Sequence, residues 1–141
     1  MRMAMEGGSM TMSGQRCAAP LGDLSGEDLN CVQYYTIFPN LLLSLHPDYV
    51  LIHRIDRLAP DRSSIVCDWL FHPSAMAKPD FDPSPAVEFW NMTNNQDWHV
   101  SELSQKGISS RAYTPGPYAE LESMIAAWDR QYLEALGGAG E

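Results

Sequence analysis

The chain has 141 residues, enough for one domain of ordinary size or for part of a larger one, and its 45% hydrophobic content suffices to bury a core. A net charge of -9, with only nine scattered Lys and Arg, argues against nucleic acid as a partner, because phosphate binding draws on clustered cations. No apolar run of about 18 residues suggests a membrane helix, and the start MRMAMEGG lacks the apolar stretch of a secretory signal, so a cytoplasmic chain is expected.

Residues 1–31 mix Gly, Ser, Pro and Asp without apolar periodicity and read as an irregular segment ahead of a domain spanning 32–141. Cys17, Cys31 and Cys67 are odd in number and widely spaced, which fits reduced thiols better than a disulfide framework or a metal clamp. Four strands follow, each rich in β-branched or aromatic residues and closed by turn chemistry: VQYYTIF, LLLSLH, YVLIHRIDRL and SSIVCDWLFH. In the third, Tyr49, Leu51, His53 and Ile55 share a face; in the fourth, Ile65, Cys67, Trp69 and Phe71 do. Arg54, Arg57 and Arg62 are placed to pair with Asp56, Asp61 or Asp68 across that hairpin.

Pro73, Pro79, Pro83 and Pro85 exclude regular structure from Pro73 to Pro85, after which the period becomes helical. Ser84 and Pro85 suit a helix start, and Gly107 a stop. On the wheel Phe89, Met92, Val100 and Leu103 form a side that reads as core. The opposite side mixes Val87, Trp90 and Trp98 with Asn94, Asp97, Ser101 and Gln105. A carboxylate among tryptophans has to be paired, protonated or bound to a cation, and either Arg54 or Arg111 would serve as an ordinary ion-pair partner for Asp97. A second helix is expected from about Tyr118 to Leu136, with Leu121, Met124, Ile125, Trp128, Tyr132 and Leu136 at helical spacing. Strands followed by helices predict an α+β fold in which an antiparallel sheet grips a long C-terminal helix.

The segment VEFWNMTNNQDWHVSELSQKGISSRAYTPGPYAELE, Val87 to Glu122, resembles the C-terminal signature of Rieske-type non-haem iron oxygenase α subunits, which reads FW(D)xxNxQDWxxxExxQxGxxSxxYxPGxY. The stretch FPNLLLSLHPDYVLIHR, Phe38 to Arg54, resembles core strands of the same family, and the likeness runs from about Thr11 to Leu136. It implies a helix-grip catalytic domain in which Asp97 is the carboxylate of a 2-His-1-carboxylate Fe(II) site. Trp90, Asn94, Trp98 and Ser101 would then shape the pocket or orient that ligand. It further implies a [2Fe–2S] Rieske cluster, a reductase or ferredoxin donor, O2 and a small aromatic or N-methyl substrate that is hydroxylated or demethylated, and trimeric assembly.

Two parts of the family pattern have no match. No His-x4-His spacing joins His46, His53, His72 and His99, and His99 lies about 160° from Asp97 on one helix, too far round to share a metal. Cys-x-His and Cys-x-x-His are also absent, so this chain has no ligands for the cluster. The expectation is an incomplete catalytic domain that is inactive alone, from a truncated or split gene or a start assigned in mid-domain; in the split case a separate N-terminal chain would complete it. The alternative is a metal-free small-molecule-binding module of the helix-grip type.

Overall fold

The computed structural model describes residues 8–137, which divide into two compact units, one ending at Gln105 and the other starting at Lys106. The first unit is built on a four-stranded antiparallel meander in sequence order: β1 (Gln33–Ile37), β2 (Leu41–Leu45), β3 (Val50–Ala59) and β4 (Arg62–Leu70). The turn chemistry places these breaks. A cis Phe38–Pro39 bond lies between β1 and β2, Pro47-Asp48 between β2 and β3, and Pro60-Asp61 between β3 and β4, after a register irregularity at Arg57 and Ala59.

Register decides which side chains share a face, since cross-strand partners point the same way. Ser44 faces Leu51, Leu51 faces Trp69, and His53 faces Cys67. This is the face that is buried. Its centre is Tyr49, Leu51, Ala86 and Trp90, with Met10, Cys67, Trp69, Phe71 and Phe89 packed around them. The opposite face leaves Tyr35, Ile37 and Leu70 exposed.

The helix seated on the sheet is α2 (Ser84–Ile108). Its start is fixed by Asp82, whose carboxylate accepts from Ser84 N at 2.9 Å and is held below its usual pKa by hydrogen bonds from Ser84. The Pro-rich stretch before it is not wholly irregular. A short helix, α1 (Pro73–Met76), begins there with Pro in the first turn, where no N–H is needed, and the His72 ring accepts from Ser74 N at 3.2 Å as its cap.

A buried carboxylate ties the N-terminal segment to the sheet. Asp48 accepts from Ser9 Oγ at 2.5 Å and from Cys17 N at 2.9 Å, and Leu21 N donates to Pro47 O at 2.7 Å. Burial, reinforced by the adjacent Asp48 charge, pushes the Cys17 thiol up to about 12, so it stays protonated and unreactive. A 3₁₀ turn at Gly26–Asn30 then leads into β1, and the expectation for residues 1–7 lies outside the described residues.

In the second unit, a 3₁₀ turn (Glu120–Glu122) precedes α3 (Ser123–Ala135). The helix starts later than its apolar spacing suggests, because the Glu122 side chain accepts from Ala119 N at 2.6 Å and tightens the entry. Tyr118 donates its hydroxyl proton to Asp129. Among the described residues no helix is long and apolar enough to cross a membrane.

Candidate functional site

The sequence points to α2, and the structure shows which side of it meets the sheet. Ala86, Trp90 and Asn94 recur every four residues and are its buried positions. Trp90 donates its indole N–H to Tyr49 Oη at 2.7 Å, and Tyr49 donates its own proton to Met10 O at 2.6 Å. Burial raises the Tyr49 phenol far above its usual range, which keeps it a neutral donor. One turn further on, Asn94 Oδ1 lies 3.2 Å from His53 Nε2, and Asn94 Nδ2 lies 3.6 Å from Cys67 Sγ. The side that reads as core from apolar periodicity faces elsewhere: Met92, Val100 and Leu103 are exposed, and only Phe89 is half-buried. Hydrogen bonds to the strands, rather than the apolar stripe, select the seated side.

Asp97 is exposed rather than enclosed between tryptophans. It lies seven residues beyond Trp90, so it points within about 20° of the direction that buries Trp90, but at a level of the helix left open by the described residues. The expected ion pair with Arg54 does not form, because Arg54 Nε bonds Asp56 at 3.3 Å on the strand surface. Half-buried Trp98 and exposed Ser101 line a cavity of about 430 Å³ with Glu102, Gln105, Ile65, the turn residues Pro60 and Asp61, and Arg62 and Ser63 at the start of β4. Trp90 and Asn94, expected to shape the pocket or orient the ligand, lie at the sheet interface and do not line this cavity.

The four histidines are dispersed. His72 caps α1, His99 is exposed on α2, and His53 bonds Asn94. His46 is 3% exposed and stacks on Tyr49, with ring centroids 4.1 Å apart. Neither ring nitrogen of His46 has a partner among the described residues. No three His, Cys, Asp or Glu side chains among the described residues are grouped to hold a metal ion. His53, Cys67 and the hairpin turn are the site residues that local periodicity does not single out. Alternation in β3 and β4 does place His53 and Cys67 on the buried face, and that is the available signal.

A family model for the catalytic domain of ring-hydroxylating α subunits matches residues 1–138. The chain is 33% identical over 112 residues to the glycine betaine monooxygenase oxygenase subunit of Chromohalobacter salexigens, covering 79% of this chain and 25% of that protein. It is 30% identical over 113 residues to the protein of the same description in Pseudomonas aeruginosa, covering 79% of this chain and 26% of the relative. It thus spans about a quarter of the length of these relatives. With a sheet-seated helix carrying the Gln96-Asp97-Trp98 triplet and a match over nearly its whole length, the chain belongs to the ring-hydroxylating, Rieske-type oxygenase α-subunit family and carries part of its catalytic domain.

Proposed function

We propose that residues 32–141 form the C-terminal part of the catalytic domain of a mononuclear iron oxygenase, and that Asp97 is the carboxylate ligand of its iron. The observation that carries this reading is the placement of Asp97. Asp97 is exposed on the helix that Trp90 and Asn94 bond to the sheet, and the next residue, Trp98, lines the cavity.

The described residues do not by themselves fit a mononuclear iron site. One hard carboxylate is a weak Fe(II) ligand set, His99 is on the far side of α2, and His46 and His53 are committed to the sheet interface. Nor is there a Cys and His set for a Rieske cluster. The reading therefore requires two imidazoles and the cluster on other polypeptide, either the rest of a longer chain or a separate N-terminal partner. Electron delivery by a reductase or ferredoxin and trimeric assembly complete it.

The cavity favours a small charged organic substrate over a plain hydrocarbon. It combines the Trp98 indole with the Asp61 and Glu102 carboxylates and the Arg62 guanidinium. An indole flanked by anions suits a methylated ammonium, and the guanidinium suits a carboxylate. Two relatives are named for glycine betaine, which carries both groups. We therefore place the reaction as O2-dependent oxidation of an N-methyl compound, with this chain inactive alone.

Anaerobic titration of the purified chain with Fe(II), followed by metal analysis after desalting, tests the one-ligand reading. The expected result is no stoichiometric iron. One tightly held iron per chain would overturn it.

A further inference from the structure

We propose that His53 and Asn94 form a positioning pair that sets the rotation of α2 about its own axis, and through it the direction of the Asp97 carboxylate. Apolar contacts between a helix and a sheet are non-directional and tolerate a small roll. Hydrogen bonds do not tolerate it, because they weaken steeply once misaligned. The Asn94 amide engages two strands at once. His53 and Cys67 are direct cross-strand partners in β3 and β4, and Asn94 presents its oxygen to His53 Nε2 at 3.2 Å and its nitrogen to Cys67 Sγ at 3.6 Å.

The chemistry assigns the protons. An amide oxygen only accepts, so His53 Nε2 carries hydrogen, and the buried Nδ1, which has no partner, is left as a bare lone pair rather than a stranded donor. Asn94 is 6% exposed, so water does not substitute for either bond at low cost. Trp90 bonded to Tyr49 supplies a second fastener one turn earlier, and two such points define a roll angle. Asp97 follows Asn94 by three residues, about 60° round the helix, so any roll that breaks the Asn94 bridge turns Asp97 through the same angle.

The importance of this pair for catalysis rests on Asp97 being the iron carboxylate, but the pair is testable without metal. In isotopically labelled whole chain, residual dipolar couplings along Val87–Leu103 report the phase of α2 relative to the sheet. The expected result is a shifted phase in His53→Leu and a wild-type phase in His53→Gln, whose side-chain amide N–H can stand where Nε2–H stands. A residue that only adds stability would lower the unfolding midpoint and leave the phase alone, so an unchanged phase in folded His53→Leu overturns the proposal. Should His53→Leu fail to fold, imidazole ¹⁵N shifts of the wild-type chain decide. A protected Nε2–H at His53 supports the pair; an Nε2 without a proton, or one exchanging as in free imidazole, overturns it. Neither result depends on iron, so failure here leaves the Asp97 assignment standing, and loss of that assignment leaves the pair intact.

Discussion

His46 lies among Tyr34, Tyr49 and Trp90, where an imidazolium would find no acceptor, and burial lowers its pKa to about 4. In the unfolded chain the same ring titrates near its ordinary value of about 6.5. Between those values the unfolded state takes up a proton that the folded state refuses. Stability therefore falls as pH drops from about 6.5 to 4, by up to about 1.4 kcal/mol per pH unit from this group. Urea unfolding at pH 7 and pH 4.5 should show a shallower loss in His46→Phe than in wild type; equal losses would refute the assignment. The buried Asp48 carboxylate accepts hydrogen bonds from Ser9 and Cys17. Replacing it by Ala strands those donors and should cost roughly 2–3 kcal/mol, read from the denaturant midpoint.

The exposed outer side of α2 leads to a prediction opposite to that of its apolar periodicity. Val100→Glu and Leu103→Glu should change folding stability by no more than about 0.5 kcal/mol, because neither side chain is buried. Core positions would lose several times as much in the same urea titration. The strands are legible in the sequence because their β-branched runs end at Pro and Asp turns, and the start of α2 is legible from Ser84 and Pro85. The seated side of α2 is not. Its deciding partners, Tyr49 and His53, lie 41 residues away from Trp90 and Asn94, beyond any local period. The Asp48 clamp on Ser9 spans 39 residues and is hidden for the same reason. The helix α1 escapes a reading that treats Pro only as a breaker, although Pro is favourable in a first turn.

Over the chain as a whole, the long motif from Val87 to Glu122 carries the family directly, while the cavity between Trp98 and the β3–β4 turn emerges only once the chain is folded. Apolar side chains exposed on the sheet at Tyr35, Ile37 and Leu70, and on α2 at Met92, Val100 and Leu103, are surface that a larger catalytic domain would cover. The proposed function makes Asp97 the iron carboxylate within such a domain. The decisive experiment replaces the matching quarter of the Chromohalobacter salexigens relative with this chain and measures mononuclear iron per chain, with and without Asp97→Ala. About one such iron is expected in the chimera, and its loss in the variant, with secondary structure unchanged. Equal iron in both would refute the assignment of Asp97 as the ligand.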